Sequence, residues 1–222
     1  MRQVPVYVET DVAMAADQAV AAWAFELDLW GRCGQGPDED SAVRALCHDL
    51  GTDVEPIVVE RVSGDEQAFV RDLQPARDAE REVTLAVLVA VRDETLALVT
   101  SSGPAVLDFD DPTRTLPAWA RWRTLRQMAW HLADTESRYY LPALGLPGRS
   151  AEPDLITELT ASARHVRTVV STMPATLIRR TPSEVWTTTK VLRRLAWHER
   201  SELITMHHIA HRARAAIRSM RS

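Results

Sequence analysis

A change in hydrophobic periodicity near residue 70 constrains the fold of this chain more than any other feature of its sequence. Before it, the apolar runs are short and β-branched. After it, they are long and rich in Ala, Leu, Val, Arg and Glu. Strands repeat every two residues and helices every 3.6, so one pattern cannot serve the other structure. The chain therefore reads as a small α+β domain at 1–65, a polar, turn-rich linker at 66–75, and an all-α antiparallel four-helix bundle at 76–222.

In the first part, Val4-Pro5-Val6-Tyr7-Val8-Glu9-Thr10 predicts a strand and Ala19 to Leu27 a second. Trp30 to Cys33 starts a third, with Gly34-Gln35-Gly36-Pro37 as its terminating turn. Asp38-Glu39-Asp40-Ser41 supplies acids and a capping side chain to a helix over Ala42 to Leu50, whose inner face is Val43, Leu46, Cys47 and Leu50. Gly51 ends that helix as a C-cap, and Val54 to Val62 is a last strand. The expected order is β-β-β-α-β.

In the second part, helices are expected at Ala76 to Thr100, Ala118 to Leu144 and Asp154 to Met173. The fourth opens at Thr181-Pro182-Ser183-Glu184, with proline at the first helical position, and runs to Ser219. Four amphipathic helices with modest loops pack naturally as an up-down bundle.

The fourth helix carries the sharpest chemical signal. Val191, Leu195, His198, Glu202, Thr205, Ile209 and Ala213 follow steps of three and four and share one face. The ends of this stripe are apolar and its middle is polar. A charge facing a bundle interior costs several kcal/mol unless it is paired or bound to metal. On the second helix, Leu125, Met128, Leu132, Glu136, Tyr139 and Ala143 define the inner face, and His131 lies at its border, about 100° from its centre. His131, His198 and Glu202 make a two-histidine, one-carboxylate set suited to a catalytic divalent metal such as Zn, Ni or Fe.

Thr124-Leu125-Arg126-Gln127-Met128-Ala129-Trp130-His131-Leu132-Ala133-Asp134-Thr135-Glu136 and Val191-Leu192-Arg193-Arg194-Leu195-Ala196-Trp197-His198-Glu199-Arg200 resemble the second- and fourth-helix motifs of the DinB/YfiT family, over roughly residues 76–215. That family takes one metal-binding histidine from the second helix and two, at i and i+4, from the fourth. His131 and His198 match the first two; Glu202 stands at the third. The resemblance implies a metal-dependent transferase using a low-molecular-weight thiol of the mycothiol or bacillithiol type, or a hydrolase, acting on a small electrophile. Residues 3–62, through Tyr7-Val8-Glu9-Thr10, Asp28-Leu29-Trp30-Gly31-Arg32-Cys33-Gly34-Gln35-Gly36 and Asp38-Glu39-Asp40-Ser41-Ala42-Val43, are similar to a HicB-type module, which implies a protein partner for the N-terminal domain. The departure at Glu202 keeps an alternative open: a non-catalytic binding protein with a degenerate metal site, in which the bundle serves dimerisation.

Other residues divide between site and packing. Trp130 and Trp197 each precede a candidate ligand and are the expected pocket walls for a cofactor or substrate. Trp122 fits the core stripe of the second helix, and Trp186 packs between helices. Glu136 and Glu199 either orient a histidine or pair with an arginine. His207, His208 and His211 read as a solvated helix end, and His48 and His165 as surface residues. Cys33 and Cys47 are too few for a disulfide framework and read as small buried hydrophobes. A net charge of -5 argues against a general nucleic-acid binder. Met1 to Asp11 lacks the apolar core of a signal peptide, and no run of ~18 apolar residues would span a membrane. A cytoplasmic homodimer acting on a small molecule, without nucleic-acid or membrane partners, is expected.

Overall fold

The computed structural model describes residues 2–12, 19–50, 54–64 and 66–219, apart from the side chains of 49 and 50. It is a mixed α+β structure, with the sheet in the N-terminal part and the long helices in the C-terminal part. Strand β1 (Arg2–Val12) buries Val4, Val6 and Val8 by simple alternation. It is followed by β2 (Ala19–Trp23), a short 3₁₀ turn at Leu27–Leu29, β3 (Cys33–Gly36), α1 (Glu39–Leu50) and β4 (Val54–Ser63). The predicted order holds; the helix end expected at Gly51 lies outside the described residues. The sheet order is β3-β2-β1-β4, with β1 antiparallel to β2 and parallel to β4. Pro5 sits in an inner strand without breaking it, because pairing with β2 begins only at Tyr7.

Two expectations are corrected here. The second strand ends at Trp23, not Leu27. The third strand starts at Cys33, not Trp30, and runs through Gly34 to its end at Gly36, so these glycines pair in the sheet and do not form a turn. A Cβ on Gly34 would stand 2.1 Å from the Ala42 carbonyl oxygen, and one on Gly36 would stand 2.6 Å from Ser41 Cβ. The glycines let α1 lie directly on the strand. Asp38 caps that helix, its Oδ1 accepting from Ser41 N at 2.7 Å, and Ala42 and Leu46 point inward without exposure.

The helical part comprises α2 (Asp78–Ser101), a single turn α3 (Pro104–Leu107), α4 (Leu125–Asp134), a π-helical turn at Thr135–Tyr140, α5 (Leu141–Ala143), α6 (Leu155–Thr172) and α7 (Thr188–Ser219). A small hairpin of β5 (Ile178–Arg180) and β6 (Val185–Thr187) precedes α7. Two helix starts and one internal turn differ from the sequence reading. The second long helix starts at Leu125, where Thr124 and Gln127 form a capping box, so Trp122 lies in the preceding loop and not on a helical stripe. The π-helical turn inserts an extra residue into the periodicity; Tyr140 takes the buried place and Tyr139 faces outward. Pro182 does not open the last helix: Thr181 and Glu184 close the hairpin turn, Glu184 N donating to Thr181 Oγ1 at 3.0 Å.

The sheet has two occupied faces. Val4, Val6, Val8, Ala22 and Ala24 pack under α1 with Ala42 and Leu46. On the opposite face Trp23, Phe25 and Trp30 share one apolar cluster with Leu192, Leu195, Ala196 and Trp197 of α7. Trp23 and Trp30 are 0% and 1% exposed; burying a side chain of this size contributes up to roughly 4–6 kcal/mol. Trp30 Nε1 donates to Thr84 Oγ1 at 2.9 Å, so the indole's polar atom is satisfied on α2. Gly31, at φ +72°, lets the following loop touch α7, where a Cβ would meet Ala196 Cβ at 2.5 Å. Among the described residues no helix is long and apolar enough to cross a membrane.

Candidate metal centre

Helix α7 runs 32 residues, and it buries Val191, Leu195, His198, Glu202, Ile209 and Ala213 of the predicted stripe, while Thr205 is half-buried. His198 and Glu202 are 2% and 8% exposed. Helix α4 presents half-buried His131 opposite them. His198 Nε2 lies 3.4 Å from His131 Nε2 and 3.7 Å from Glu202 Oε1. The ligand atoms of all three residues fall within 4.8 Å of one another. Two nitrogens each about 2.05 Å from a tetrahedral ion stand roughly 3.4 Å apart, so the imidazole pair fits one edge of such a site. Glu202 Oε2 is buried and has no hydrogen-bond partner. A buried carboxylate oxygen is rarely left in that state, and a cation would satisfy it. The donor set of two nitrogens and a carboxylate suits Zn, Ni or Fe.

The surroundings fix how the imidazoles face. His198 Nδ1 lies 3.4 Å from Glu136 Oε1, and His131 Nδ1 lies 3.2 Å from Thr135 Oγ1. With each Nδ1–H directed at its oxygen, both Nε2 lone pairs point at the same space, the arrangement a metal-binding histidine takes from its hydrogen-bonded neighbour. Trp122 stacks flat on His131, ring centres 3.7 Å apart and 12° from parallel, and holds the second imidazole in place.

Charge behind the site is balanced by one guanidinium. Arg92, 1% exposed, contacts Glu136 Oε2 at 2.6 Å and Glu199 Oε1 at 2.7 Å, and donates to the Leu159 carbonyl at 3.0 Å. Burial raises both carboxyls against the pull of Arg92. One proton on the pair leaves the trio neutral, which is the low-energy state in a dry interior. Glu136 thus does both things the sequence suggested, orienting a histidine and pairing with an arginine.

Burial, with His198 second, pushes His131 down to about 3. Burial, with Arg92 and Arg194 nearby, pushes His198 down to about 3. Both imidazoles are therefore neutral at physiological pH, the state that ligates metal. Burial raises Glu202 to about 8, Arg114 opposing.

The three residues border a cavity of about 380 Å³ that also touches Gln35 of β3 and Glu66, so the sheet contributes to its wall. Trp197 lines this cavity as expected. Trp130 does not; it lies in an outer groove with Arg121, Gln127 and His131. Trp186 is fully buried from β6, beside Tyr139 and Tyr140. His207, His208 and His211 are exposed, His207 facing Glu94 at 2.9 Å. His48 is exposed; His165, expected at the surface, is half-buried with Nε2 2.8 Å from the Pro147 carbonyl oxygen, and Cys33 and Cys47 are half-buried free thiols.

Sequence reading missed Arg92, Arg114, Trp119, Tyr140 and Arg194 at or behind the site. Arg194 meets Glu9 at 2.9 Å and Glu66 at 3.3 Å, which ties β1 to α7 beneath the cavity. No protein-family model, curated protein or solved structure matches the chain.

Proposed function

We propose that this protein is a divalent-metal-dependent enzyme of the DinB/YfiT type that transfers a low-molecular-weight thiol to a small electrophile, with hydrolysis as the variant of the same chemistry. In this reading α2, α4, α6 and α7 form the antiparallel four-helix bundle of that family, and the sheet with α1 is a HicB-like module. The β-β-β-α-β order supports the second assignment, and the helices' shared apolar clusters support the first. The observation that carries the reading is the convergence of His131 Nε2, His198 Nε2 and Glu202 Oε1 on one cavity wall, within 4.8 Å of one another, with the imidazole pair spaced as one edge of a tetrahedral site.

A divalent ion held there would lower the pKa of a thiol or water toward neutrality and keep a coordination position open for it. The chain's own residues do the rest. Glu136 and Thr135 hold the two imidazoles in the ligating tautomer. Arg92 keeps Glu136 and Glu199 from adding two uncompensated charges behind the ligands. Trp122, Tyr140 and Trp197 narrow the cavity and exclude water around the reacting groups.

The test is consumption of a low-molecular-weight thiol in the presence of an activated aryl halide, with an activated ester as the hydrolytic probe. Metal-loaded wild type should turn over one of them, and His198→Ala and Glu202→Gln should not. Equal rates in the wild type and His198→Ala would reject the reading.

A further inference from the structure

We propose that the cavity beside the metal centre is an anion site, in which Arg114 receives a carboxylate of the substrate while Trp119 and Trp122 hold its flat, unsaturated portion. The proposal rests on the enzymatic reading above and adds the substrate's chemical class to it.

Arg114 is half-buried and lines the cavity together with Trp119, Trp122, His131 and Glu202. Its Nη1 donates to the main-chain carbonyls of Trp122 at 2.7 Å and Arg123 at 3.0 Å, and its Nη2 lies 3.5 Å from Met128 Sδ. All three partners are neutral. Among the described residues no carboxylate lies within ion-pair distance of this guanidinium. Burial lowers its pKa, with the charge of Glu202 the largest opposing influence. A partly desolvated cation held only by neutral partners keeps most of its attraction for an anion, because the geometry is already set and the surrounding dielectric is low.

The same loop shows that carboxylates were available and went elsewhere. Asp108 pairs with Arg126 at 2.6 Å, Asp110 with Arg123 at 2.9 Å and Asp111 with Arg212 at 2.6 Å. Asp111 also accepts from Thr113 N at 2.9 Å and Thr113 Oγ1 at 2.7 Å, one residue before Arg114. The loop is thus anchored on both sides of Arg114, and its acids are engaged away from it. Trp119 and Trp122 meet edge-on, ring centres 5.7 Å apart, and Trp122 is braced by the stacked His131. A planar group placed here has an aromatic wall on one side and the metal ligands within reach.

Benzoate and its neutral counterpart benzamide are the probes, titrated by tryptophan fluorescence against zinc-loaded and zinc-stripped protein. Benzoate should bind the wild type about tenfold or more tightly than benzamide in both states. Arg114→Gln should remove that preference and keep its zinc content, and Arg114→Lys should retain part of it. Equal binding of the two probes by wild type overturns the proposal without any variant being needed. So does a benzoate preference that survives Arg114→Gln, or one that vanishes on stripping the zinc, since the carboxylate then sits on the metal. A protein that takes up no zinc yet binds benzoate through Arg114 sustains the anion site and removes the metal reading.

Discussion

Replacing Arg92 with methionine leaves Glu136 and Glu199 facing each other in the interior with no cation between them. The guanidinium is 1% exposed and lies 2.6 and 2.7 Å from the two carboxylates. Removing one partner of a buried ion pair costs about 3–5 kcal/mol. At ~2–4 °C per kcal/mol for a chain of this size, the melting temperature should fall by roughly 6–20 °C at pH 8. The sign of the pH dependence follows from the raised carboxyls. Their folded-state pKa lies above the unfolded value, so ionising them opposes folding, and protonating them as pH falls relieves it. Without Arg92 both values rise further, and the defect should shrink on going from pH 8 to pH 5.5. Urea unfolding of wild type and Arg92→Met at both pH values measures this. A loss below ~1 kcal/mol at pH 8, or one of equal size at the two pH values, refutes the assignment of Arg92 as their shared counter-charge.

Metal uptake should be governed by Glu202 and not by the histidines, because Glu202 is raised to about 8 while both imidazoles are already neutral. Calorimetry in buffers of different ionisation heat should give about one proton released per ion at pH 7, with affinity rising about tenfold per pH unit up to about 8; release of two protons near pH 6 would contradict it. Glu202→Gln should weaken metal binding by more than about tenfold while stabilising the metal-free protein at pH 8, since it removes a buried carboxylate whose ionisation opposes folding. Gly34→Ala should cost at least ~2 kcal/mol by urea unfolding, because its Cβ would stand 2.1 Å from the Ala42 oxygen and 2.3 Å from Leu46 N; an unchanged midpoint would show that α1 is not fixed to β3 there.

The periodicity break near residue 70, the β-β-β-α-β order and the polar centre of the α7 stripe were all legible in the sequence, because each follows from local spacing. The geometry that local spacing does not encode was misread. Gly34 and Gly36 look like turn residues until α1 is seen packing on them. Pro182 looks like a helix start until Ile178 is paired with Thr187 across a hairpin. The π-helical turn at Thr135–Tyr140 defeats any fixed period, which is why Tyr140 and not Tyr139 reached the interior. Arg92 was recoverable. Thr84, Leu88, Arg92, Thr95 and Val99 form a buried stripe on α2 with a charged centre, the same signature that marked His198 and Glu202. Arg114 and Trp122 had no such signal, since they reach the site from a loop whose path is set by long-range pairs such as Asp111 with Arg212.

The central claim is that His131, His198 and Glu202 hold a divalent ion, and metal content measures it most directly. Protein purified without a histidine tag or chelator should carry about one equivalent of Zn, Ni or Fe per chain, lost in His131→Ala and His198→Ala. Metal-free protein that gains no thermal stability from any of the three ions, or stoichiometric metal retained in His198→Ala, would contradict it.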